Sequence, residues 1–178
     1  DSEKVTSYEV GWKSGMFDNH LRTQFSAFYN NYEDFQVIIG YPLFPVFGFE
    51  LNVPDTTVMY GVELQAEAVF GNFSVDAVSV KKNSDLGKFF ATDTRAASFA
   101  ACNPATGPAG ATCLNLEGRD QTYAPEFTFN IGAQYVFELG DSDTLTPRLN
   151  YGHVSQQWAT LFANPARGDR IEERDIFN

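Results

Sequence analysis

The chain has 178 residues, with 12 Lys and Arg against 23 Asp and Glu for a formal net charge of −11, and 15% of its residues are aromatic, 17 of them Phe. So many aromatics exclude a disordered acidic tail, which is poor in them, and the acidic balance excludes a nucleic-acid partner, since phosphate binding needs clustered Lys and Arg. The longest apolar runs fall far short of the roughly 18 to 20 residues of a membrane-spanning helix, while a mean hydropathy of −0.26 is compatible with transmembrane β-strands, which average an apolar face with a polar one.

Period-2 alternation dominates from the start. Tyr8, Val10 and Trp12 alternate with Ser7, Glu9, Gly11 and Lys13, which predicts a first strand. Phe17-Asp18-Asn19 is turn chemistry. Beyond it Leu21, Thr23, Phe25, Ala27 and Tyr29 alternate with Arg22, Gln24, Ser26, Phe28 and Asn30 in a second strand. A Pro- and Phe-rich link is predicted over Gly40 to Pro54. The third strand, Val58 to Phe70, sets Val58, Tyr60, Val62, Leu64, Ala66, Ala68 and Phe70 against Met59, Gly61, Glu63, Gln65, Glu67 and Val69. Gly71-Asn72 turns it into a fourth strand, Phe73 to Val80.

A long loop is predicted from about Lys81 to Tyr123. It contains Cys102 and Cys113, which lack the spacing of a zinc site and read either as a loop disulfide formed in an oxidising compartment or as two free thiols. The fifth strand, Phe127 to Leu139, has an entirely apolar face. Gly140-Asp141-Ser142-Asp143 leads to a sixth, Thr144 to about Trp158. Pro147 within it cannot donate to a ladder and marks a strand start or a bulge. Ala159 to Asn178 reads as another loop.

Short and long links therefore alternate. The prediction is an all-β antiparallel up-and-down meander of about six long strands in which short turns lie at one end and long loops at the other, as in a transmembrane barrel. A charge on the lipid face near mid-bilayer costs about 2 to 4 kcal/mol, and the apolar positions of these strands carry none. A soluble β-rich binding or adhesion module and a small passive porin-like barrel are the competing readings. No nucleophile or metal-ligand spacing appears, no cofactor is implied, and Glu63 and Glu67 lie about 13 Å apart along one strand face, too far for an acid/base pair. Arg167-Gly168-Asp169 matches an adhesion tripeptide by chance.

Four segments carry a family resemblance: Ser2 to Ser14; Ala27 to Val37; Tyr60-Gly61-Val62-Glu63-Leu64-Gln65-Ala66; and Ala124-Pro125-Glu126 leading to Gly132-Ala133-Gln134-Tyr135. In this order and spacing they resemble the carboxy-terminal barrel region of TonB-dependent receptors of the Gram-negative outer membrane. The resemblance implies that the whole of 1–178 is one segment of a barrel of about 22 strands, a size associated with a plugged lumen. It implies that the plug domain lies outside this sequence, and that another strand begins near Asp175 to Asn178. The function implied is active import of a scarce ligand, most simply a ferric siderophore. The implied partners are the TonB–ExbB–ExbD energy-coupling complex, acting through the plug, and outer-membrane lipid around the wall. Glu9, Lys13, Arg22, Gln24, Glu63, Gln65, Glu67, Gln134 and Arg148 are then lumen- or plug-facing candidates. Phe44, Phe47, Phe49, Arg95 and Arg119, in the loops, are ligand-binding candidates, because aromatics and Arg dominate binding energy where they cluster.

Overall fold

A computed structural model describes residues 2–41, 44–95, 102–107, 113–140 and 142–178, with the side chains of 41 and 44–47 outside that description. The first alternating segments form β1 (Lys4–Met16) and β2 (Leu21–Glu33), paired antiparallel without interruption from Lys4↔Glu33 to Met16↔Leu21. Their turn places Phe17, Asp18 and Asn19 at φ of 53°, 53° and 65°. Asp and Asn tolerate this left-handed region better than other non-glycine residues, and the His20 N–H closes the turn on the Phe17 carbonyl at 2.9 Å.

Asp34, at φ 55°, separates β2 from a hairpin of β3 (Gln36–Tyr41) and β4 (Phe44–Asn52). The wall resumes with β5 (Thr57–Phe70) and β6 (Phe73–Asp85), joined through Gly71 at φ 58°. The next connection carries the short pair β7 (Phe90–Thr92) and β8 (Cys113–Asn115). Then follow β9 (Phe127–Tyr135), β10 (Phe137–Glu138), β11 (Thr144–Leu145) and β12 (Arg148–Val154). The last connection contains β13 (Gln157–Trp158) and β14 (Arg170–Ile171), and the chain returns to the wall as β15 (Arg174–Phe177).

The wall is a seven-stranded sheet in the order β1-β2-β5-β6-β9-β12-β15, each pair antiparallel. It is an open meander with β1 and β15 as edges. All short turns lie at one end and all long connections at the other.

Several details differ from the sequence reading. The Gly40–Pro54 link contains most of a hairpin, the fourth strand runs on to Asp85, and the loop predicted from Lys81 to Tyr123 contains β7 and β8. The stretch predicted as a terminal loop contains β13 and β14, and β15 lies where the resemblance implied a further strand, near Asp175 to Asn178. The fifth and sixth segments are each divided. Pro147 has no N–H to donate, so the ladder lapses there. The Pro147 carbonyl accepts from Tyr135 N at 3.2 Å, Val136 N turns to the Asn72 carbonyl at 2.9 Å, and β12 begins at the next residue.

Directly paired residues share a sheet face, so the register defines the two surfaces. One row runs Trp12, Phe25, Leu64, Ser79, Phe129, His153 and Asp175 across the wall. The rows flanking it include Val10, Ala27, Val62 and Phe127 on one side and Ala66, Ala77, Ile131, Tyr151 and Phe177 on the other. This apolar face is uncovered: Val10 is 67% exposed, Trp12 64%, Leu64 49% and Leu149 63%. Its Lys, Asp, Glu and His side chains, Lys4, Glu33, Lys81, Asp85, His153 and Asp175, lie toward the long-connection end, where His153 Nδ1 and the Tyr151 hydroxyl both meet Asp175 Oδ1 at 2.8 Å.

The buried hydrophobic cluster lies elsewhere. Val37 and Ile39 of β3, Val53, Leu86, Phe89, Ala91, Leu116 and Leu161 form it, packed by Phe35, Leu51 and Phe162. Every one of these residues belongs to the long connections.

Candidate functional site

The register gathers the polar positions of the wall strands on the face opposite the apolar one. Its successive rows contain Glu9; Glu63; Lys13, Gln24 and Gln65; Arg22, Glu67 and Asp76; and Gln134 with Arg148. All the lumen candidates read from the sequence therefore share one surface. At the short-turn end Lys13, Asn19, Arg22, Gln24, Gln65 and Glu67 border a cavity of about 350 Å³. Gln65 Nε2 donates to Glu67 Oε1 at 3.3 Å.

Arg148 organises the neighbouring part of this face. Its Nη2 donates to both carboxylate oxygens of Asp76, at 2.8 and 3.0 Å, its Nη1 to Gln134 Oε1 at 3.2 Å and its Nε to Asn150 Oδ1 at 2.8 Å. The guanidinium spans the width of β9 and passes over Gly132, where a Cβ would clash with Arg148 Nη2 and come within 2.7 Å of Asn150 Oδ1. Asp76 and Asn150 were not singled out in the sequence. Their signal was available, because Asp76 alternates with Val75 and Ala77 just as Glu67 does with its apolar neighbours.

The second arrangement is a cap built by the long connections at the other end. Arg95 lies between two acids. Its Nε donates to Asp93 Oδ1 at 2.8 Å, its Nη1 to Asp169 Oδ1 at 2.5 Å and its Nη2 to Asp169 Oδ2 at 2.9 Å. Asp169 is 2% exposed and also accepts from Thr160 Oγ1 at 2.8 Å and Asn164 N at 2.9 Å. Arg167 reaches the Arg95 carbonyl and approaches Asp93 Oδ2 at 3.6 Å. A buried ion pair is tolerable only when its remaining lone pairs and protons are satisfied in this way.

Hydrogen bonds from Arg95 hold the Asp169 carboxyl well below the usual carboxylate range, against the opposing effect of burial. For Asp93 burial is the largest influence and acts upward, but hydrogen bonds from Arg95 and the charges of Arg95 and Arg167 together outweigh it. Arg95 itself is pushed up by Asp169 and Asp93.

Among the ligand-binding candidates, Arg95 sits in this network, and Arg119 Nη1 donates to the Phe162 carbonyl at 3.1 Å. Phe49, 49% exposed, borders a cavity of about 310 Å³ with Ile39, Leu51, Phe90 and Pro104. The Phe44 and Phe47 side chains lie outside the described residues. Cys102 and Cys113 form a disulfide with Cα atoms 5.7 Å apart. In the Arg-Gly-Asp tripeptide Arg167 and Gly168 are exposed, while Asp169 is buried.

Between cap and wall, Asp120 borders a cavity of about 300 Å³ with Glu63, Lys82 and Glu126. Burial first, then the charges of Glu126 and Asp85, push its carboxyl up.

An open antiparallel meander with an exposed apolar face, a polar reverse face and long connections gathered at one end defines a segment of a transmembrane β-barrel wall. The family model of the TonB-dependent receptor-like β-barrel matches residues 1–170, and the chain belongs to that family. The crystal structure of the ferric yersiniabactin uptake receptor FyuA from Yersinia pestis superposes with a TM-score of 0.64 over 98% of this chain, at 16% identity. The chain spans 21% of the length of that receptor. No protein of curated function matches the sequence. Family and fold place the chain in the Gram-negative outer membrane.

Proposed function

We propose that this chain supplies wall and extracellular loops to an active outer-membrane importer that takes up a scarce ligand, a ferric siderophore by analogy with the ferric yersiniabactin uptake receptor that shares its fold. The observation that carries the reading is the two-faced wall itself, in a chain matched by the family over residues 1–170. The polar face, with Lys13, Arg22, Gln24, Gln65 and Glu67 bordering one cavity, would contact a plug that fills the lumen. Glu9, Glu63, Gln134 and Arg148 extend the same surface. Energy would come from the TonB–ExbB–ExbD complex acting on that plug.

Ligand contact is assigned to the cap, where Phe44, Phe47 and Phe49 belong to β4 and Arg95 and Arg119 to the following connection. Transport, not catalysis, is the activity proposed.

The test is uptake of labelled ferric siderophores by cells with and without the full-length gene, in backgrounds with and without TonB. Uptake that requires both supports the reading. Uptake that requires the gene but not TonB identifies a passive pore, and recovery of the native protein in the soluble fraction identifies a soluble binding module.

A further inference from the structure

We propose that the three long connections form one lid, a single cooperative body that holds or gives way as a whole, with Arg95 as its key. The inference concerns the cap alone and does not depend on which ligand is carried.

The first reason is that the connections share their core. Val37 and Ile39 come from the first, Leu86, Phe89, Ala91 and Leu116 from the second and Leu161 from the third, and these residues form one contiguous buried cluster. Phe89 and Leu116 are 0% exposed and Leu161 6%. Removing any one connection would expose apolar surface belonging to the others, so the hydrophobic effect opposes separate motion.

The second reason is polar. The Arg95–Asp169 pair joins residues 74 apart in the chain, and Asp169 is 2% exposed. Withdrawing the third connection alone would separate Arg95 from Asp169, leaving the Asp169 carboxylate without its cation, and would take Arg167 away from Asp93. Arg119 bonds the Phe162 carbonyl, and Tyr123 N bonds the Trp158 carbonyl at 2.8 Å, so further ties cross the same boundary. Within the second connection Leu116 N bonds the Phe89 carbonyl at 2.8 Å, which closes that loop on itself.

The third reason is a close approach where the lid meets the wall. Gly87 packs against the backbone of Asp55 and Thr56, leaving no room for a Cβ, and its N–H donates to the buried Thr57 hydroxyl at 3.1 Å. This contact ties the end of the first connection to the start of the second. Motion of one therefore carries the other.

The experiment is hydrogen–deuterium exchange on the full-length receptor in detergent micelles, comparing the unmodified protein with Asp169→Asn and Arg95→Lys. The expected result is that protected amides within 36–53, 86–95 and 113–119, and 157–171 all exchange faster by one common factor, on the order of a hundredfold for Asp169→Asn, while amides of β1, β2 and β5 are unchanged. Faster exchange confined to 157–171, with the other two regions still protected, would overturn the proposal. Should neither variant assemble, the unmodified receptor is measured at rising sub-denaturing urea. A single shared dependence for the three regions supports one lid, and three different dependences refute it.

Discussion

Arg148 grips Asp76 across the full width of β9, with both carboxylate oxygens within 3.0 Å of Nη2, and its guanidinium passes over the bare backbone of Gly132. Gly132→Ala is expected to dislodge Arg148 and break the pair. Arg148 and Asp76 remain 37% and 44% exposed, so the loss in stability is at most about 1 kcal/mol. A double-mutant cycle with Asp76→Ala checks it: the two substitutions should be strongly non-additive, because both remove the same interaction.

The register makes neighbouring residues of β5 inequivalent. Leu64 lies in a row of the apolar face and Gln65 in a row of the polar face, the faces proposed to meet lipid and lumen respectively. Leu64→Arg should destabilise the folded full-length receptor by about 2 to 4 kcal/mol, the cost of a cation on the lipid face near mid-bilayer. Gln65→Arg should cost far less. Reversible unfolding from phospholipid vesicles measures both, and equal costs would contradict the assignment of the faces.

Gly87 faces backbone rather than side chains. A Cβ there would lie 2.7 Å from the Thr56 carbonyl oxygen, with the Asp55 carbonyl closer still. Backbone held on both sides cannot yield as a side-chain tip can, so Gly87→Ala should destabilise the lid by about 1 to 3 kcal/mol. Limited proteolysis should find the long connections cleaved faster while the wall strands stay resistant.

The Asp93–Arg95–Asp169 network fixes a pH dependence. Both carboxyl groups titrate below the ordinary aspartate range in the folded lid. A depressed folded value adds stability that is fully present above the unfolded carboxylate range and is lost as pH falls through the folded values. Protection of the lid amides, corrected for intrinsic exchange, should therefore show no change from this network between about pH 5 and pH 8 and should decline only below about pH 4. A decline between pH 5 and 7 would show that these carboxylates do not hold the lid.

The sequence by itself determined the wall. Alternation is a local property: a strand must present successive side chains to opposite sides, so Trp12, Leu64 and Ile131 could be assigned to one face and Lys13, Gln65 and Gln134 to the other before any pairing was known. Turn chemistry at Phe17-Asp18-Asn19 and Gly71-Asn72 then set the order of short and long links. Tertiary structure decided the rest. β15 has four residues, too few for a periodic signal; the family resemblance implied a strand near Asp175 to Asn178, and its pairing with β12 fixes the register. The lid core draws Val37, Phe89 and Leu161 from three connections with no shared period, and the partnership of Arg95 with Asp169 joins residues 74 apart. Such contacts depend on how three connections fold back over one end of the wall, and a pattern of neighbouring residues carries no record of that closure.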